Sequence, residues 1–227
     1  EGIFNGSTNY ILTKIFEDNL NFDIALRQAQ EKGFAESDPS LDVDGFDSKY
    51  KLCILCLHAF GTFAKPEDVF NFGIGHLNDF DIQFAKQRGC TIKLLSTCRR
   101  QNGNVVAYVL PHLIAPHNLL YDVYDEYNGL LLESSFTDKQ FFVGKGAGGP
   151  ATGSAVLSDI SALFYNYRYE YKKTTQPNPP ALSNDVQIKI YLRYKTSNQV
   201  DLAAFYAISE KYESAQNSYV VGSINLQ

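Results

Sequence analysis

The chain has 227 residues, 44% hydrophobic and 20% charged, with 20 Lys and Arg against 25 Asp and Glu and no methionine. That length suits one or two domains with packed cores that need neither disulfides nor metals. A net charge of -5 argues against a nucleic-acid binder that works by net charge, and no run approaches the ~20 apolar residues of a membrane span.

Residues 3–18 read as a helix with Ile3, Tyr10, Ile11, Ile15 and Phe16 along one side. Residues 22–32 read as a second helix, stopped by Gly33. A non-periodic acidic loop runs from Glu36 to Asp44, and residues 45–60 form the longest apolar helix. Lys65-Pro66-Glu67-Asp68 interrupts the chain, and Asp79 to Gln87 predicts a short helix ended by Gly89.

The pattern then turns to strands. Thr91 to Arg99 and Val105 to Leu113 alternate around Gln101-Asn102-Gly103-Asn104, a hairpin signal. Asn128 to Ser135 and Gln140 to Val143 predict two more strands, and a glycine-rich turn from Gly144 to Gly149 leads into a helix over 152–167. The polar, proline-rich stretch Lys172 to Pro180 marks a boundary. Beyond it, Val186 to Tyr194 reads as a strand, Leu202 to Tyr212 as a helix and Tyr219 to Leu226 as a strand.

Five acids, Glu36, Asp38, Asp42, Asp44 and Asp47, fall close together. A calcium loop fails on spacing, because aligning Gly45 with the loop glycine puts Ser40 and Lys51 where Asp and Glu are required. Asp47 and Lys51 are four apart and share a helix face. On spacing alone this is a surface ion pair or a proton-relaying pair. Cys53 and Cys56 form a C-x-x-C inside an apolar helix, which favours core packing over metal or redox chemistry, and the setting is read as reducing and cytosolic. His58, His76, His112 and His117 lack ligand spacing, so no metal site is expected. Asn5-Gly6-Ser7 is a formal glycosylation triplet of a kind common by chance. Gly144-x-Gly146-x-x-Gly149 formally fits a dinucleotide fingerprint with Glu170 downstream, but the proline-rich stretch follows instead of further parallel units.

Three segments resemble one family. Gly2 to Leu12, Gly33 to Leu52 and Gly146 to Val156 followed by Asp159 are similar, in order and spacing, to the catalytic region of homoserine dehydrogenases. The resemblance covers about residues 1–165. It implies an oxidoreductase that interconverts L-homoserine and L-aspartate 4-semialdehyde with NADP or NAD, on the route to threonine, methionine and isoleucine. It also implies that Glu36, Asp42 and Asp47 bind substrate, that Lys51, beside Asp47, is the proton donor, and that Gly33 and Gly148 lie near the cofactor.

The implied fold is α+β, a mixed sheet with helices packed on one face. The expected organisation is a catalytic and dimerisation domain over 1–170, a linker over 171–184 and a partial ACT-like β-α-β module over 185–227. The Asp-x-x-Gly turn of an ACT domain is missing from residues 195–201, which argues against amino-acid sensing by the tail. A homodimer in the cytoplasm is expected. In the family a nucleotide-binding Rossmann domain precedes this region, so the absent methionine and the start at Glu1 suggest a processed or partial chain, inactive by itself. The rival reading is a non-enzymatic ligand-binding or regulatory module that retains the fold.

Overall fold

The computed structural model describes residues 1–170, 172–196 and 199–226. They form two compact units, Glu1–Ala181 and Leu182–Gln227.

The first unit is an α+β fold on a six-stranded mixed sheet. Its strands are β1 (Gly2–Ile3), β2 (Phe70–Asn71), β3 (Thr91–Gln101), β4 (Asn104–Ile114), β5 (Tyr127–Ser134) and β6 (Asp138–Lys145), in the order β2-β4-β3-β1-β5-β6. Only β2 and β4 pair in parallel. The helices are α1 (Gly6–Glu17), α2 (Phe22–Glu31), α3 (Ser40–Val43), α4 (Phe46–Phe60), α5 (Asp79–Gln87) and α6 (Gly149–Phe164). Against the sheet, α4 packs on β3 and β4, α1 on β3 and β5, and α5 on β3.

Local chemistry explains most boundaries. Asn5, Asn21 and Asn78 cap α1, α2 and α5 by accepting from backbone amides, and Asn78 forms a full capping box with Asp81. The β3–β4 hairpin turns on Asn102 and Gly103, both at positive φ, with Gln101 opposite Asn104. The core joins Ile3, Leu95, Ile114, Leu120 and Val123, each fully buried aliphatic worth about 1.5–3 kcal/mol.

Some boundaries differ from the sequence reading. Ile3 belongs to β1, so the first helix starts three residues later than expected. The acidic loop contains the short helix α3. Its backbone is pinned where Val43 O accepts from Ile74 N (2.8 Å) and Asp44 O from Asn71 Nδ2 (2.7 Å). Residues 172–181 are tied to the first unit: Gln176 Nε2 donates to Phe60 O (2.7 Å), Thr62 Oγ1 to Pro180 O (2.7 Å) and Val105 N to Ala181 O (2.8 Å). Residue 171, at the start of the expected linker, lies outside the described residues.

The second unit corrects the expected β-α-β tail. It is a three-stranded antiparallel sheet of β7 (Gln187–Tyr194), β8 (Ala207–Tyr212) and β9 (Ser218–Asn225), ordered β7-β9-β8. The expected helix over 202–212 is a single 3-10 turn at Leu202–Ala204 followed by β8. The ladder to β9 and the stacking of Tyr212 on Tyr219, with ring centroids 5.4 Å apart, outweigh the helical propensity of Leu-Ala-Ala. Residues 197 and 198 of the turn after β7 lie outside the described residues. Among the described residues no helix is long and apolar enough to cross a membrane.

Candidate active site

The acidic loop and the start of α4 meet the chain just after β1. Asp47 stands in the first turn of α4, where the helix dipole favours a negative charge. Lys51 follows one turn later. Its Nζ donates to Asp47 Oδ2 (2.6 Å) and to Phe4 O (3.0 Å). Asp42, in α3, is drawn to the same point by Asn5, whose Nδ2 donates to Asp42 Oδ1 (2.6 Å) and Asp47 Oδ2 (2.9 Å). Two carboxylates, one ammonium and one amide thus meet, with one net negative charge.

The pair is not there for stability. The Lys51 and Asp47 side chains are 49% and 32% exposed, and such ion pairs contribute about 1 kcal/mol or less. What the arrangement offers is an oriented ammonium open to solvent on one side. The neighbouring Lys49 differs: it is buried against the Phe46 ring at 4.7 Å, and burial pushes its ammonium below the ordinary lysine range.

Asn5 is the residue that sequence reasoning missed. It is 4% exposed, which removes the glycosylation reading of Asn5-Gly6-Ser7. Its Oδ1 caps α1 by accepting from Thr8 N (2.8 Å), while its amide holds both aspartates. The cap position was a visible signal; the partners, 37 and 42 residues away, were not. Asn5→Ala should cost about 1–3 kcal/mol, from the lost cap and the lost amide donor to Asp42, measured by urea unfolding. Asn5→Asp keeps a good cap but sets a third carboxylate against two, so its deficit should be larger at pH 7 than at pH 4.

The other expected site residues make no hydrogen bond to this cluster among the described residues. Glu36 is exposed, its carboxylate makes no hydrogen bond among the described residues, and its carbonyl accepts from Gln30 Nε2 (2.9 Å). Gly33, at φ +73, terminates α2 in a Schellman arrangement, with Gly33 N bound to Gln30 O and Phe34 N to Ala29 O. Ser7 Oγ donates to Phe34 O, tying this turn to α1. Gly148 stands before α6 at φ 95 and ψ 156, a conformation essentially restricted to glycine.

The glycine-rich turn is not a dinucleotide fingerprint of its own, because β6 pairs antiparallel with β5 and no parallel βαβ unit surrounds it. It does wall a shallow cavity of about 320 Å³. Phe4, whose carbonyl holds Lys51, lines that cavity together with Asn128 and the Gly144–Gly146 backbone. Asn128 Oδ1 is buried there without a hydrogen-bond partner among the described residues. It is Asn128 Nδ2 that faces Gly146, where an added Cβ would collide with it, so the turn needs glycine at that point.

Among the described residues no cluster of three or more His, Cys, Asp or Glu is arranged to hold a metal. His58 meets the hydroxyl of Tyr169 and takes no part in the site.

The sequence profile of the homoserine dehydrogenase family matches residues 1–161, a span that includes Asn5, Asp42, Asp47, Lys51, Asn128 and the glycine turn. The chain belongs to the homoserine dehydrogenase family. The homoserine dehydrogenase of Bacillus subtilis is 33% identical over 204 residues, covering 88% of this chain and 47% of that protein. The crystal structure of a homoserine dehydrogenase from Thiobacillus denitrificans superposes with a TM-score of 0.81 at 28% identity, over 98% of this chain and 56% of that one. A hyperthermophilic archaeal homoserine dehydrogenase in complex with NADPH superposes at 0.58 with 28% identity, over 74% of this chain and 47% of that one. The chain thus spans about half the length of the homoserine dehydrogenases it matches.

Proposed function

We propose that this chain is the substrate-binding and proton-transfer part of an NAD(P)-dependent enzyme that interconverts L-homoserine and L-aspartate 4-semialdehyde. The observation that carries the reading is the Lys51 ammonium, held by Asp47 and Phe4 O beside the glycine-walled cavity. The cavity suits the nicotinamide end of the cofactor, with the Gly144–Gly146 backbone giving room for the ring. When bound, the reduced nicotinamide supplies the hydride that the aldehyde carbon takes up.

The chain's own residues do the rest. Lys51 Nζ faces the carbonyl oxygen, steadies the negative charge that develops on it and delivers a proton to it. Asp47 and Phe4 O fix the ammonium's direction, so little reorganisation is needed at that moment. The surplus negative charge of Asp42 and Asp47, with Glu36 nearby in sequence, suits the substrate's own ammonium group. In the reverse direction Lys51 takes the proton from the hydroxyl of homoserine.

The nucleotide's remaining length is held outside this chain, which supports inactivity of residues 1–227 alone. Two copies form the working unit, a reading supported by exposed Leu132 on β5. The test is an assay of the full-length protein with L-homoserine and NADP or NAD, followed by absorbance of the reduced nicotinamide. Turnover by the full-length protein and none by the chain alone is expected. A full-length protein that binds homoserine by calorimetry but never turns it over would overturn the enzymatic reading in favour of a binding module.

A further inference from the structure

Four cysteines are free, and they are not equivalent. Cys56 is wholly buried on α4, with 0% exposure, and Cys98 is half-buried on β3. Their sulfurs lie 2.7 Å apart although 42 residues separate them in sequence. That distance falls between a disulfide bond of about 2.05 Å and an ordinary nonbonded contact of roughly 3.5–4 Å. We propose that Cys56 and Cys98 are an oxidant-sensitive dithiol, a modification site that peroxides convert reversibly to an intrachain disulfide.

The fold prepares the approach. β3 is held on both sides, by β4 along its whole length and by β1, so Cys98 has a fixed place. α4 is set against it a second time where Ser96 Oγ donates to Ser48 O (3.4 Å). Closing the bond asks the sulfurs to move by less than about 1 Å. Among the described residues Cys53, one turn before Cys56 on α4, and Cys90 make no such contact, and no group of three thiols is arranged to hold a metal.

The order of events follows from burial. Cys56 keeps its proton, because its hydrogen bond to Cys98 and its burial both push its pKa up. Cys98, half-buried where Cys56 is wholly buried, is the first to meet oxidant, and its thiolate attacks the terminal oxygen of the peroxide. The O–O bond breaks, the alcohol leaves with one proton, and Cys98 becomes a sulfenic acid. The Cys56 sulfur then attacks the Cys98 sulfur. The S–O bond breaks, and hydroxide leaves with the Cys56 proton as water. Two thiols lose two electrons, and one peroxide becomes one alcohol and one water.

The bridge would tie α4, the helix of Asp47 and Lys51, to the central strand and close a long loop in the unfolded chain. The site stands on packing alone and is independent of the catalytic reading. The full-length protein is treated with hydrogen peroxide, blocked with iodoacetamide, digested and sequenced by mass spectrometry. A linked peptide pair joining Cys56 to Cys98, two hydrogens lighter than the separate peptides and split by dithiothreitol, is expected, with an upward shift in Tm. Cys98→Ser, at the half-buried position, abolishes both changes even if Cys56→Ser fails to fold, and Cys53→Ser leaves both intact. Full alkylation of Cys56 and Cys98 after peroxide, a bond through Cys53, or irreversible oxidation of Cys98 would overturn the proposal.

Discussion

Lys51→Ala in the full-length protein should lower kcat by about 10²–10⁴-fold, the range for removing a positioned general acid. The effect belongs to kcat, because the interaction with the carbonyl oxygen strengthens as charge develops there. Cofactor affinity should change little, since the cavity beside Phe4 is lined by Asn128 and the glycine backbone and not by Lys51. Stability should change by about 1 kcal/mol or less, because the side chain is 49% exposed. Lys51→Arg separates charge from proton delivery: the guanidinium keeps the positive charge but holds its proton, so it should recover only part of the loss. Steady-state kinetics with a thermal melt of each variant makes the test, and wild-type turnover in Lys51→Ala would remove Lys51 from the chemistry.

Lys93→Ala should destabilise the protein by about 3–5 kcal/mol, although Lys93 lies outside the active site. Its side chain is 1% exposed. Its Nζ donates to Val123 O (2.7 Å) and Asn9 Oδ1 (3.1 Å), while Asn9 Nδ2 donates to Val123 O and Tyr127 O. Truncation therefore leaves a cavity, takes the donor from Asn9 Oδ1 and leaves Val123 O with Asn9 Nδ2 alone, across the join between α1, β3 and the segment leading into β5. Burial pushes the ammonium down to about 8, against the pull of Glu17, Asp125 and Asp122. Below that pH both the folded and unfolded states carry the proton, and the folded state bears the full desolvation cost. Between about 8 and the ordinary 10.5 the unfolded chain binds more protons, so this site's contribution to stability rises with pH and then levels off. The total rise is about 3 kcal/mol at 1.36 kcal/mol per pKa unit. Urea unfolding of wild type and Lys93→Met at pH 7 and pH 10 isolates it, because other titrations cancel in the difference. The deficit of Lys93→Met should grow toward pH 10; a deficit independent of pH would refute the assignment.

Much of the first unit was legible. The 3.6-residue repeats, the stops at Gly33 and Gly89, and the Asn102-Gly103 turn are local signals, and α2, α4, α5, β3 and β4 appear within a residue or two of their expected places. β1 and β2 have two residues each, too few to show a period. The tail went wrong over 202–212, where Leu202, Ala203 and Ala204 read as helix-forming but make one 3-10 turn before the edge strand β8 on β9. An edge strand takes its conformation from its neighbour, and no window of sequence contains that neighbour. Asp42, Asp47 and Lys51, named from the resemblance, meet through Asn5 in the structure, and Gly33 carries a sufficient local reason of its own as a helix stop.

By itself the sequence determined most local pieces of the first unit: its longer helices, the Gly33 and Gly89 stops, and that Asp47 and Lys51 share one helix face. It also carried the family, through three ordered motifs. Tertiary structure alone decided what those pieces meet. Asn5 bridges Asp42 and Asp47, Phe4 O holds Lys51, Lys93 is buried under Val123, and Cys56 touches Cys98. Each of these contacts joins residues 30 or more positions apart. Their loop-closure cost is met by the packing of helices on one shared sheet, a property of the whole chain that no short stretch of it contains.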